Sequence, residues 1–383
     1  MTPVRIIYLG CFPSVQIRRE LGIDSLYRDF YAHIDVLRSV QGSELKVITA
    51  PDLGSWPSNK LIIRGFYDNE DNARSVGIFN FPFLKQFWIV LSLFFAAASA
   101  IRKSGESTVV VIPCLVYHHV AAGTLLKLRF GSRVSLLQIV PDLFFPQGGL
   151  EKLVNRRAEK LARRSEGFVF YTEAMASALK IDADSRYVVI EGFSRVQRRP
   201  VSVPQVFTIC YTGSLNLCYG LVRLLDAMQY LPYDGIELHL YGAGDAEGII
   251  RERCGQDQRI KFFGKVGKDE AEAAVSSASV LVNPRNDTDG EYVAYSFPSK
   301  DIEYLASGVP AVLCRLPGMP EEYYDYFVDA TPGSPEDLAK AIMKVMEMSA
   351  EQRSELTAAA FDFVSQRMDS RSHAEKILSL ISA

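Results

Sequence analysis

The stretch FPSKDIEYLASG, Phe297 to Gly308, sets a cation and a carboxylate, Lys300 and Glu303, one turn apart on a short apolar helix. Pro298 suits the first helical position and Gly308 the C-terminal stop. At roughly 100° per residue, Ile302, Leu305 and Ala306 share one arc, and Lys300, Glu303, Tyr304 and Ser307 share the opposite one. Lys300 stands in the first turn, where the helix dipole disfavours a cation and favours an anion. A bound anion would reconcile the two, with backbone N–H groups at the helix start as further donors. A carboxylate one turn along can accept two hydrogen bonds from a ribose diol. A solvated surface Lys–Glu pair explains the same residues equally well.

Glycine-bearing turns precede this stretch. YTGSL carries Gly213, where the backbone can approach a ligand, and Ser214 as a donor. YGAGD carries Gly242 but supplies only G-x-G, with Glu247 where a dinucleotide fingerprint needs its third glycine. FFGKV and NPRNDTDGEY follow at the next two strand ends. Each glycine alone is ordinary turn chemistry. Three on successive strands of one sheet suggest a ligand of nucleotide size.

The elements that must hold these residues are short β-branched runs alternating with helical patterns, as for parallel strands joined by crossover helices. VRIIYL, LKVITA, TVVVIP, VSLLQIV, GFVFYT and YVVIE read as strands of a first domain, 1–195. The basic, proline-containing segment around 196–204 reads as a linker. VFTICYTG, IELHLYG, RIKFFG, SVLVNP and VPAVLC are strands of a second domain, 205–365, closing in helices from about Pro335. The fold class expected is therefore α/β, with two doubly wound, Rossmann-like domains and a ligand at the carboxyl ends of the strands, in the cleft between them.

A chain of 383 residues fits two domains better than one. Its net charge of −3 makes no case for nucleic acid as a partner. Six scattered cysteines, without C-x-x-C, suit reduced, mostly buried thiols of a cytoplasmic protein. MTPVRIIYLG is too short in its apolar run for a signal peptide. FWIVLSLFFAAASAI, Phe87 to Ile101, is uncharged but falls short of the roughly 18 residues of a membrane span. It reads as a buried helix, or as part of a segment, 79–101, whose aromatic face touches a membrane surface.

Taken together, YTGSLNLCYGLVRLLDAM, LHLYGAG, RIKFFGKV and SFPSKDIEYLASGVPAVL resemble, in order and spacing, the GT-B retaining glycosyltransferases of family 4, nearest the bacterial capsule and exopolysaccharide type. The likeness is strong over about 205–330 and looser before it. It implies that Glu303 is the ribose-binding second carboxylate of an E-x7-E motif whose first position is occupied by Tyr295. It places the amides near Ser296 and Phe297 at the donor sugar and β-phosphate, Gly213 and Ser214 in the first diphosphate loop, and Val266 in the base pocket; Gly242 and Ser299 are further donor-binding candidates. Relatives often carry an Arg where Ser214 stands and a Lys where Tyr219 stands, so two diphosphate cations are missing; Lys300 and Arg285 are the substitutes. In the first domain His118 or His119 matches a histidine that contacts the donor sugar, and Asp142 a loop acid on the acceptor side. Glu291 is a candidate for the missing carboxylate. The resemblance also implies a C-terminal helix, 366–383, returning to the first domain.

What the resemblance implies is metal-independent transfer of a sugar, with retention, from a UDP- or GDP-sugar to a glycan or lipid-linked acceptor of surface polysaccharide synthesis. No cofactor is needed, and the place of work is the cytoplasm, at the inner face of the plasma membrane. The chemical demand is to stabilise charge on the departing diphosphate, and no glycosidase-like pair of carboxylates stands out. D-x-D at Asp287–Asp289 binds metal in another glycosyltransferase fold; in this loop it reads as a solvated turn. A nucleotide-sugar epimerase of the same fold is the alternative. It would need an acid and a base around the sugar, for which Glu291 and Asp142 are the candidates.

Overall fold

The computed structural model describes residues 4–12, 19, 28–40, 43–51, 53–69, 71–82, 84–104, 106–143, 148–181, 185–193, 196, 200–202 and 204–381. The chain forms two compact units, 1–193 with 369–383, and 194–368. Of the expected linker, 197–199 and 203 lie outside the described residues, and the rest belongs to the second unit.

Unit 1 contains β1 (Val4–Gly10), α1 (Arg28–Ser39), β2 (Ser43–Thr49), β3 (Ile62–Ile63), β4 (Phe66–Asp68), β5 (Ala73–Ser75), β6 (Ile78–Phe79) and α2 (Leu84–Ser104). It continues with β7 (Thr108–Ile112), α3 (Tyr117–Phe130), β8 (Val134–Val140), α4 (Gly149–Ala162), β9 (Gly167–Phe170), α5 (Glu173–Leu179) and β10 (Arg186–Val189). Its main sheet runs β10-β9-β8-β7-β1-β2-β5-β4, all parallel except for the antiparallel edge pair β4–β5. Strands covered on both faces must be apolar throughout: Ile6, Ile7, Tyr8 and Leu9 of β1 are all fully buried. β3 and β6 form a separate antiparallel ribbon.

The apolar segment is longer than its uncharged run suggested, because Lys85 and the polar ends join the helix, giving α2 21 residues. Among the described residues it is the one helix long and apolar enough to cross a membrane, with mean hydropathy 1.7 over 84–103. One face, including Ile89, Leu93, Ala97 and Ile101, is nonetheless locked into the core of unit 1.

Unit 2 contains β11 (Phe207–Thr212), α6 (Leu221–Ala227), β12 (Ile236–Tyr241), α7 (Glu247–Gln256), β13 (Ile260–Gly264), α8 (Lys268–Ser276) and β14 (Val280–Val282). Then follow α9 (Ser299–Leu305), β15 (Ala311–Leu313), β16 (Val328–Asp329), α10 (Pro335–Glu347) and α11 (Ala350–Arg367). Its six-stranded sheet, β13-β12-β11-β14-β15-β16, is wholly parallel in its pairings. The order reverses between β11 and β14, the switch point at which doubly wound sheets open a crevice for ligands. Ser334 and Ser349 begin α10 and α11 with capping boxes closed by Asp337 and Gln352. The last helix, α12 (Ser370–Ile381), belongs to unit 1, where it packs on α1, β9 and β10.

Candidate functional site

The loops after β11, β12 and β14 and the start of α9 converge at the switch point of unit 2. Gly213 has φ +130° and Gly242 φ +142°, conformations that favour glycine. A Cβ at Gly242 would lie 1.7 Å from the Gly213 carbonyl oxygen, and one at Gly213 would lie 2.5 Å from Lys300 Nζ. The Gly213 and Gly242 N–H groups are already spent on the Tyr241 and Gly264 carbonyls, at 2.9 and 2.8 Å. These glycines therefore serve close approach, and the charge must come from side chains.

Lys300 supplies it. Its ammonium lies 3.6 Å from the centre of the buried Tyr211 ring, a cation–π contact that holds it at the end of β11. Burial pushes its pKa from 10.5 down to about 7, against the pull of Asp301 and Glu303. An anion beside it would relieve that cost. Helix α9 has only seven residues, so Lys300, rather than the helix dipole, is the main positive feature.

Arg285 is the second cation. It is buried between aromatic faces, 4.5 Å from the Tyr292 ring centre and 5.4 Å from that of Tyr219. Its Nε has no partner among the described residues. Tyr219 thus helps to position a guanidinium.

Three features differ from the sequence reading. Tyr304, placed with the polar arc of α9, is buried, because its hydroxyl accepts the Thr212 N–H at 3.0 Å and so satisfies the end of β11. Ser307 is buried too, its hydroxyl bonded to the Tyr304 carbonyl at 2.7 Å. Asp289 of the D-x-D sequence is no solvated turn: both its oxygens accept from Arg223, at 2.8 and 2.7 Å, and Oδ2 also caps the Asn286 N–H. Among the described residues, no group of three His, Cys, Asp or Glu side chains could hold a metal ion.

Glu303 is exposed on α9, while Ser214 and Ser299 are exposed at the neighbouring turns. The Phe297 side chain is core, edge-on to Tyr323 at 4.9 Å, and the Ser296 N–H reaches back to the Val293 carbonyl at 3.3 Å. Val266, just beyond β13, is half-buried against the second core cluster of unit 2. Glu291 is exposed at the start of a 3-10 turn, 291–295, with Tyr295 at its end.

Asp301 was missed by sequence reasoning. It is 1% exposed, accepts from Asn283 Nδ2 at 2.6 Å, and burial pushes its carboxyl up to about 6. It lies behind Lys300 and Arg285, and either cation favours its charged form. Nothing in the helical period marks it, since its partner sits at the end of β14.

In unit 1, His118 and His119 start α3, and Asp142 is exposed just after β8, the strand beside β7. Burial, aided by the Lys85 charge, pulls His118 down to about 4; His119, fully enclosed beside Cys114, is held well below its ordinary value. Both rings are therefore neutral near pH 7. They can donate or accept hydrogen bonds, but they are not cations. His119 Nε2 has no partner among the described residues.

Known proteins bear on this geometry. Residues 206–348 match the family model described as Glycosyl transferases group 1. A phosphatidyl-myo-inositol mannosyltransferase of Mycobacterium leprae is 27% identical over 172 residues, 43% of this chain; the match spans 42% of that relative's length. Crystal structures of Anabaena HepE include one in complex with UDP, superposing at a TM-score of 0.66 with 16% identity and full coverage of both chains. The N-terminal domain of Candida albicans trehalose-6-phosphate phosphatase gives 0.69 at 11% identity, covering 100% of this chain and 97% of its own. The chain has the GT-B fold, and the segment carrying the Lys300 site lies within its match to the glycosyl transferases of group 1.

Proposed function

We propose that this protein is a retaining glycosyltransferase of the family 4 kind, moving a sugar from a UDP- or GDP-sugar to a glycan or lipid-linked acceptor in surface polysaccharide synthesis at the cytoplasmic face of the membrane. The observation that carries the reading is Lys300, a half-buried ammonium held between the Tyr211 ring and Gly213, with its pKa near 7. A diphosphate is a strong match for such a group, and Arg285 offers a second, planar partner. The anion charge that grows as the sugar leaves is met by these fixed cations, the role a divalent ion would otherwise fill. Exposed Glu303, one turn from Lys300, is positioned for a ribose diol. The leaving phosphate takes the acceptor proton as the acceptor attacks from the same face, so no carboxylate base is required. HepE, with the same fold, has been crystallised with UDP and with UDP-glucose, which supports a nucleotide sugar as donor.

The test is a thermal-shift screen against nucleoside diphosphates and their sugars. Binding at a hundred times Kd stabilises a fold by about 2.7 kcal/mol. No response to any of them removes the donor site. Clean epimer formation from the stabilising sugar nucleotide, without acceptor, would replace transfer by epimerisation.

A further inference from the structure

Unit 1 carries a feature that sugar transfer alone does not use. An open groove of about 1230 Å³ runs between α2 and the short strands β3 to β6. That exceeds the usual pocket for a drug-sized ligand. Along α2, Leu84, Trp88, Leu91, Phe95 and Ser99 recur at helical spacing on the face turned away from the core. Phe95 is 62% exposed, Trp88 46%, and Ile62 on the opposite wall 66%. Side chains of this size lose much by staying in water, so their exposure is costly unless something covers them.

The charge of the groove narrows the occupant. Arg74 is the one charged residue in its lining, which contains no acid. It makes no ion pair among the described residues, and Arg64 nearby is exposed as well. An apolar trough with one exposed cation matches a hydrocarbon chain with an anionic head.

We propose that the groove takes the hydrocarbon chain of a long-chain phosphate or diphosphate lipid, with Arg74 on the phosphate, and so holds the lipid end of the acceptor. The acceptor role rests on the transferase reading above; the capture of the chain does not. The occupant is a single lipid chain inside the groove, rather than a bilayer surface lying across it.

The protein provides its own probe. Of its two tryptophans, Trp88 lines this groove and Trp56 is connected to it through stacked Phe81 and Phe79. Dodecyl phosphate titrated below its micellar range into the full chain should give a saturable blue shift of tryptophan emission. Arg74→Ser should weaken it about tenfold, the loss expected for one charge-assisted bond. Phe95→Glu should weaken it at least as much. Both residues are exposed, and an unchanged thermal-shift response to nucleotide would show that the fold and the donor site persist. The proposal is overturned if no shift occurs, if neutral dodecyl maltoside binds equally well, or if both variants bind as the parent does. Flotation with phosphatidylglycerol vesicles in the absence of any saturable dodecyl phosphate binding would mean surface docking instead, and would overturn it too. Saturable binding by a chain that answers to no nucleotide would remove the acceptor role and the transferase reading, while leaving chain capture in place.

Discussion

Lys300 gives the donor site a pH signature that can be worked out in advance. In the free protein its pKa is about 7, lowered from 10.5 chiefly by burial. The charged form is thus penalised on folding. That penalty is fully present below pH 7 and is relieved as pH rises towards 10.5, so the unliganded protein should lose less stability through Lys300 at pH 9 than at pH 6. A diphosphate acts the other way, because it binds the charged form. Above pH 7 the protein must take up a proton to bind. If Lys300 stays charged in the complex, affinity falls nearly tenfold per pH unit, about a hundredfold at most between pH 6 and pH 9. The ligand should be the sugar nucleotide, whose diphosphate is doubly esterified and does not titrate there. Calorimetry at pH 8 in two buffers of different ionisation enthalpy should report uptake of close to one proton. Lys300→Arg keeps its charge throughout, so its affinity should be flat over the same range with no uptake. Binding by the parent that is flat from pH 6 to pH 9, without proton uptake, would refute the placement of a diphosphate on Lys300.

Other residues of unit 2 give sharper structural tests. Gly242→Ala drives a Cβ to within 1.7 Å of the Gly213 carbonyl, at a φ that already disfavours side chains, and should cost at least about 3 kcal/mol in chemical denaturation. Gly213→Ala collides only with the end of a flexible lysine; it should lower sugar-nucleotide affinity about tenfold while costing roughly 1–3 kcal/mol of stability. Arg223→Ala leaves Asp289, whose side chain is 6% exposed, without its cation and with the Asn286 N–H as its remaining donor, and should destabilise the fold by about 3 kcal/mol, read as a fall in Tm. Glu303→Gln keeps the shape but loses the charge-assisted acceptor, and should weaken ribonucleotides about tenfold while changing inorganic diphosphate binding far less.

The sequence announced the central strands for a simple reason. A parallel strand covered on both faces is an unbroken apolar run, as in VRIIYLG and FTICYT, and such runs need no context to be read. The strands β3 to β6 are two or three residues long, with exposed Ile62 and Tyr67 among them, so no period distinguishes them from loop. In the candidate site, Lys300 and Gly213 were legible as types at suitable positions, but their adjacency was not. That depends on the Tyr211 ring, one strand residue among many aromatics. Tyr304 defeated helical arithmetic because a hydroxyl can reach from the flank of a helix to satisfy a strand end. Asp301 stayed invisible because its burial is sustained by Asn283, which the chain brings beside it only after an intervening loop.

The return of α12 to unit 1 makes that unit discontinuous: residues 194–368 form a separate body before 369–383 complete the first. Ile377 and Leu380 of this helix are buried, and His373 packs edge-on to Phe193 at 5.4 Å. During synthesis, the first unit to start emerging is therefore the last to be finished. Until the final turn of α12 leaves the ribosome, apolar surface along α1, β9 and β10 waits uncovered, while the whole of unit 2 can already collapse on its own contacts. Closing so long an intervening loop costs entropy that grows only with the logarithm of its length, so the arrangement is cheap at equilibrium. Its burden is on timing, and it gives the residues of α12 a say over when the first unit becomes native.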